Sequence, residues 1–287
     1  MIAVWKRELR IFFCTPTGYI YIAVLLAAGG TYMVSLNLLQ AYSSFAYVID
    51  YLCFLYVILI PILTMRVFVE ERRQQTDTLL YALPLDSAEI VLGKYLALAT
   101  VNLLPVLVMC LYPLILTRYG IVDLRTAYSA LSAFYLLGCA LCAAGMYFSS
   151  LTDSYIVAAV LSFAVFFLSF RVSSIQELLP RTALFSYLGI STLILLLGLY
   201  ALRLTRNLLF SLVIMAVLEL PLTLVFRVRL LWLAGTFNQM LDWFAIFHRV
   251  QPFIAGEFDL AGVIYFLSVT VLFLSLTVRV LERRRWS

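Results

Sequence analysis

Few side chains in this sequence have the type and spacing for covalent or redox chemistry. Cys139-x-x-Cys142 has the spacing of a redox or zinc pair, yet it lies inside the apolar run ALSAFYLLGCALCAAGMYF, with no second Cys pair or His pair near it. Two small residues packing a helix face account for it better. A phosphate-cradling loop of the form G-x-x-x-x-G-K-[ST] would need glycine where Ala88 stands and a hydroxyl where Tyr95 stands, so Gly93-Lys94 is not one. His248 is the only histidine, which leaves Ser-His and multi-His metal sites almost nothing to work with. A Ser-Lys or paired-Asp intramembrane site fails because the lysines are Lys6 and Lys94 and no two aspartates fall within the apolar stretches. The chain is expected to be no enzyme, with no metal and no cofactor of its own. One ionisable residue remains, Glu219, in the run FSLVIMAVLELPLTLVF.

The elements that position these residues follow from composition. The chain has 287 residues, 64% of them hydrophobic and 12% charged, about half the charge of an average soluble domain. Long apolar runs with short polar punctuation imply an all-α polytopic membrane bundle, because backbone groups in lipid must bond within their own helix. Eight runs suit transmembrane helices: 19–39, 45–65, 95–117, 128–149, 155–170, 185–201, 208–226 and 260–280. The basic, apolar N-terminus reads as an uncleaved first helix, since its apolar part is too long for a signal peptide and more spans follow. Residues 1–16 suit a short helix along the inner interface, with Val4, Leu9, Ile11 and Phe12 beside Lys6, Arg7 and Arg10. Residues 230–254 suit an outer interfacial or re-entrant helix, with Trp232 and Trp243 at headgroup level.

Charge sets the orientation. Arg118, Arg125, Arg171, Arg181, Arg227, Arg229 and Arg249 fall on one side of this arrangement, and the rest of the 20 Lys and Arg residues on the other. The positive-inside bias then places both termini in the cytoplasm of a cell inner membrane. The net charge of +5 reports orientation and contact with anionic lipids; no basic face is long enough for nucleic acid.

On the cytoplasmic side lies the longest inner loop, 66–94, whose core EERRQQTDTLLYALPLDSAEIVLGK reads as two short helices around a turn. Leu79, Leu80 and Leu83 give the first an apolar edge, and Pro84 ends it. Ser87 is expected to cap the second, with Glu89 in its first turn. An apolar edge on a charged loop needs burial, and no other domain of the chain offers it. A charged loop is often simply a solvated one, but the leucine edge favours a docking element for a separate protein.

These residues carry a family resemblance. The stretch TMRVFVEERRQQTDTLLYALPLDSAEIVLGKYLA resembles the segment after the second span of type-2 ABC transporter permeases, matching at Glu70, Glu71, Arg72, Thr76, Leu79, Leu80, Pro84, Glu89, Ile90, Val91, Gly93 and Lys94. KRELR, the Pro16 bend and the ending YFLSVTVLFLSLTVRVLERRRW are most similar to the gliding-motility-associated branch. The family usually has Gly-Thr-x-Glu where this chain has Gln75-Thr76-Asp77-Thr78, and six spans where this one has eight. The pair 185–226 looks like an insertion.

The resemblance implies a single permease domain working as a dimer, with a second copy or a sibling permease, on two copies of a separate ATPase that binds ATP and Mg. The coupling helix in the 66–94 loop would dock on that ATPase. The gliding-type branch implies a further membrane partner with a large extracytoplasmic domain. Export is expected over import, and the cargo is unspecified. Two other functions fit the sequence: an ATP-independent carrier using Glu219 as its proton- or ion-coupling carboxylate, and a non-transporting membrane scaffold. A charged Glu219 at mid-span would cost about 2.5–3.5 kcal/mol, which its apolar neighbours offset. A protonated Glu bonded inside the bundle near Pro221 is the structural alternative.

Overall fold

Length and hydropathy dictate helices, and helices are what the computed structural model contains. It describes residues 1–75, 86–205, 208–228 and 235–285, with no strand among them. Helix α1 (Ile2–Cys14) ends at extended Thr15, and Pro16 opens α2 (Pro16–Tyr32) at the one position where a missing N–H costs nothing. A π-helical segment, Met33–Leu39, continues α2. Then follow α3 (Ala46–Thr64), α4 (Arg66–Arg73), α5 (Ser87–Met109), α6 (Leu111–Leu116), α7 (Leu124–Leu151) and α8 (Tyr155–Leu178). The rest is α9 (Ala183–Thr205), α10 (Leu208–Val228), α11 (Thr236–Asp242), the 3-10 turn Ile246–Val250, α12 (Gln251–Ile254) and α13 (Leu260–Arg285).

Among the described residues six stretches are long and apolar enough to cross a membrane: Pro16–Leu39, Ala46–Arg73, Ser87–Leu116, Leu124–Leu151, Tyr155–Gln176 and Leu260–Arg284. Two shorter apolar stretches, Ala183–Leu196 and Met215–Leu224, lie in α9 and α10. The chain divides into two compact units, residues 1–170 with 246–287, and residues 171–245.

In the first unit α7 is the central post. Its small residues Gly138, Cys139, Cys142, Ala143, Ala144 and Gly145 are all buried, and they let α3 and α5 come close. The two cysteines thus serve as packing residues on the most buried helix. A Cβ on Gly145 would collide with the Thr64 hydroxyl and stand 3.0 Å from the Thr64 Cβ. One on Gly138 would run into the Asn102 amide. Asn102 of α5, fully buried, accepts hydrogen bonds from the Tyr21 hydroxyl of α2 (2.6 Å) and the Tyr56 hydroxyl of α3 (2.9 Å). Its amide donates to the Tyr135 carbonyl of α7 at 3.4 Å. The Tyr56 ring stacks on Phe134 at 4.1 Å. Four helices are thereby keyed to one register by one amide. Fully paired within the protein, the network specifies the packing of an otherwise greasy core.

Two local expectations change. The N-cap of α5 is Asp86, in extended backbone, whose carbonyl accepts from Glu89 and Ile90; Ser87 is already the first helical residue. The 230–254 stretch, expected as an outer interfacial or re-entrant helix, is divided over its described residues 235–254. Left-handed Gly235 opens α11, a turn at Trp243 closes it, and the 3-10 turn and Pro252-led α12 follow. The Ile246 N–H bonds to the Ser169 hydroxyl, and Phe247 packs edge-on against Phe170. These contacts interrupt the helical repeat that the apolar spacing suggests.

The close α3–α7 approach makes a stability prediction. Gly145→Val should overpack this contact at a cost of about 1–3 kcal/mol, read as a lowered melting temperature of the purified chain in detergent. Substituting valine at exposed Gly120, where an added Cβ meets nothing within 4 Å, should leave the melting temperature unchanged.

Candidate functional site

The charged residues singled out in 66–94 converge at one end of the first unit. Helix α3 carries Pro61 near its end and stops at Thr64, and the chain re-enters helix at Arg66. Ser149 of α7 stitches this joint: its hydroxyl donates to the Met65 carbonyl (3.1 Å) and accepts from the Phe68 N–H (3.3 Å). Helix α4 therefore leaves the core at a fixed angle. It ends at Gln74, and Gln75 takes the left-handed conformation with φ of 53°. Residues 76–85 lie outside the described residues, and with them the expected Thr76, Leu79, Leu80 and Pro84.

One face of α4 enters a buried ion network. The Lys94 ammonium of α5, 1% exposed, lies 2.9 Å from the Glu71 carboxylate and 3.1 Å from that of Glu8. It also donates to the Val67 carbonyl at 2.9 Å and sits 5.2 Å from the Phe68 ring centroid. Arg7 donates to Glu8 at 2.7 Å and to Glu71. Two cations and two carboxylates thus balance across α1, α4 and α5, which is the condition for keeping a lysine charged out of water. Burial pulls the Arg7 guanidinium down, and its bonds to Glu8 and Glu71 more than offset this, leaving it raised.

Helix α1 reaches this site by packing on Gly93, where an added Cβ would stand 2.9 Å from the Val4 Cβ. Its Trp5 indole donates to the Thr100 hydroxyl (3.2 Å). The buried face of α1 is Val4, Glu8 and Phe12, while Ile2 and Ile11 are exposed. Sequence reasoning overlooked Glu8. The signal was available: it repeats at every fourth position with Val4 and Phe12, so a helix puts a carboxylate on its apolar face.

The other face of α4 is clamped independently. Arg72 donates to the Ser150 carbonyl (2.5 Å), the Thr152 carbonyl (2.9 Å) and the Asp153 carboxylate (2.9 Å). Arg284, near the end of α13, reaches the same carboxylate at 3.2 Å and the Leu151 carbonyl at 3.0 Å. These two arginines occupy the C-terminal carbonyls of α7, which a helix end leaves unsatisfied. Hydrogen bonds from Arg284 and Arg72 hold the Asp153 carboxyl below the ordinary aspartate range. Neither Asp153 nor Arg284 was singled out from the sequence, because nothing local marks partners 81 and 131 residues apart.

Among the other expected residues, Glu89 stands 3.7 Å from the N-terminal amine. Glu70 accepts from Gln74 at 3.2 Å. Glu219 belongs to the second unit, where it accepts a 2.5 Å hydrogen bond from the Ser191 hydroxyl of α9. The His248 side chain is exposed in the 3-10 turn. No group of three or more His, Cys, Asp or Glu suited to a metal occurs among the described residues.

Six apolar helices about a small-residue core, finished at one end by charged clamps, define a multi-pass membrane protein. The family model for ABC-2 family transporter proteins matches residues 11–285, and the chain belongs to that family. It is thus an ABC-2 type permease, a transmembrane component of a class that is generally not catalytic itself and that in general implies an ABC ATPase as partner. No curated protein matches the chain.

Two predictions test the ionic end. Lys94→Met leaves two carboxylates facing one guanidinium, and should cost about 3–5 kcal/mol. Adding Glu8→Gln to it restores charge balance and should recover part of the melting temperature; a purely additive double variant would deny the coupling. For Asp153 the folded value is depressed, so its contribution is present above about pH 3.9, the unperturbed aspartate value, and is lost as pH falls through the lower folded value. The difference in melting temperature between wild type and Asp153→Asn should close as pH falls through that range. A constant difference would mean that the aspartate charge contributes nothing.

Proposed function

We propose that this chain is the membrane-spanning permease subunit of an ATP-driven exporter, with the 66–94 segment as its coupling element for a separate ATPase. The observation that carries this reading is the double fastening of α4, the helix that leads into residues 76–85. Its Glu71 face is tied to α1 and α5, and its Arg72 face to the ends of α7 and α13. A force applied beyond Gln75 would reach four other helices through charge-assisted bonds rather than dissipate in a slack loop. A coupling element transmits only if it contacts its motor differently in two states, and a rigid base is what makes such a difference felt in the core.

In this reading Glu70, Glu71, Arg72, Thr76, Leu79, Leu80, Pro84, Glu89, Gly93 and Lys94 form or support the docking element. The ATPase contributes ATP and Mg. Both termini and this loop face the cytoplasm of an inner membrane, and α1 lies at its interface. α9 and α10 add two spans to the six, and the permease acts as a dimer with itself or a sibling. The gliding-type branch, with a partner bearing a large extracytoplasmic domain, is the relationship its terminal sequences support. The scarcity of charge in the apolar helices favours a hydrophobic, lipid-linked or polymeric cargo over small ions. Glu219 is better read as a structural residue than as a coupling carboxylate, since the Ser191 hydroxyl already satisfies one of its oxygens.

The test is co-purification from native membranes in mild detergent. An ABC ATPase should accompany the wild-type chain, and a Leu79→Asp, Leu80→Asp double variant should lose it while keeping its melting temperature. Retention of the ATPase by that variant, with stimulated ATP hydrolysis, would overturn the assignment of the docking face.

A further inference from the structure

Beside the buried ion network is a cavity of about 50 Å³ between α1 and α4. Once Arg7, Glu8, Glu71 and Lys94 are matched with one another, two charged residues on its wall remain. Arg66 is partly buried at the end of an apolar span and makes no hydrogen bond or ion pair among the described residues. Glu70, one turn further along α4, spends a single carboxylate oxygen on Gln74. The two are not paired with each other, although their positions on the helix permit it. The wall is completed by Thr15 and Thr17, whose hydroxyls lie 2.9 Å apart, and by Ile11 and Phe12. Thr15 donates to the Ile11 carbonyl, so in this pair Thr17 donates to Thr15 and keeps open lone pairs of its own.

We propose that this cavity is a binding site for the headgroup of a phospholipid carrying both a phosphate and a primary ammonium, of the phosphatidylethanolamine type. The guanidinium offers the planar donor fork that fits phosphate oxygens. The Glu70 carboxylate and the Thr17 hydroxyl supply acceptors for an ammonium, which has three donors and no acceptor. Cβ atoms one turn apart on a helix are separated by roughly 5–6 Å, a span that a two-carbon phosphoethanolamine can bridge. A water needs roughly 10–15 Å³ of such space, so the cavity admits the polar end of a headgroup and no more. Ile11, on its wall and 44% exposed, gives the glycerol and acyl chains an apolar edge, Thr15 precedes one apolar span and Arg66 lies near the end of another. That amphipathic outline favours a lipid over a free phosphorylated amine. Net charge decides the lipid: one cation and one anion suit a zwitterion better than an anionic headgroup. A choline headgroup has no N–H to give Glu70.

The experiment is native mass spectrometry of the full-length chain released from vesicles of equal parts phosphatidylethanolamine, phosphatidylglycerol and phosphatidylcholine. Wild type should retain the ethanolamine lipid about tenfold over either of the others, the worth of one charge-assisted hydrogen bond. Glu70→Gln should remove the preference over phosphatidylglycerol while keeping binding, and Arg66→Gln should lose all three lipids where Arg66→Lys keeps them in part. Equal retention of the three lipids by wild type, or an unchanged preference in Glu70→Gln, would overturn the proposal. Soluble phosphoethanolamine binding as tightly as the lipid would reassign the site to a free zwitterion. Should Arg66→Gln not fold, the Glu70→Gln comparison decides alone. Failure here would leave the ATPase coupling untouched, because co-purification reads residues 79 and 80 and not this cavity.

Discussion

A lysine ammonium that is 1% exposed must find its counter-charges inside the protein, and the charged end of this permease is arranged around that need. Lys94 draws a carboxylate from α1 and another from α4 to within 3.1 Å. Those two carboxylates in turn require a second cation, which Arg7 supplies. Removing any member would strand a buried charge, so the three helices can separate only together. Buried ion networks of this kind add little net stability compared with apolar packing. What this one contributes is position: it fixes where α4 points as the chain leaves the core.

The opposite face of α4 is secured by a different device. Arg72 and Arg284 cap the carbonyls at the end of α7 and share Asp153. This site is far more exposed, with the Asp153 side chain 75% accessible, so it is weaker and screened by salt. The two faces of α4 are therefore held unequally, the buried Lys94 side by charges that have no water to replace them and the Asp153 side by bonds that water and salt compete with. The Asn102 node lies further along α5 and α7, where its bonds to Tyr21 and Tyr56 tie the core.

How much of this could be read from the sequence depends on how local each signal is. The six long spans were legible because an apolar run of that length has one solution in lipid. The 66–94 segment stood out because charge and leucine spacing coexist in a chain with little charge elsewhere, and Glu71, Arg72 and Lys94 do meet their partners there. Their partners were harder to see. Asp153 and Arg284 come from loop and helix ends far along the chain. Glu8 was hidden by its neighbours: three basic residues around it suggested a solvated face, while its spacing with Val4 and Phe12 placed it inward. Asn102 sits in ATVNLLPVLV, where one amide in an apolar run looks incidental until three other helices are seen to converge on it. The cap of α5 fell one residue earlier than expected because Asp86, and not Ser87, adopts the extended backbone that a cap needs.

The helices of residues 171–245 form a compact unit with polar contacts of their own. Every ion pair found among the described residues lies within the first unit, as does the Asn102 node. Within the second unit Ser191 answers Glu219, Gln176 donates to the Asn238 carbonyl, and the Gly235 N–H donates to Ser186, while the buried Asn238 side-chain amide has no hydrogen-bond partner among the described residues. Gly189 and Gly198 let Phe237 and Met215 approach closely, the same small-residue device that α7 uses. The hydrogen bond from the Ser191 hydroxyl to Glu219 ties α9 to α10 across this unit, a side-chain contact that favours one register of the two helices over others.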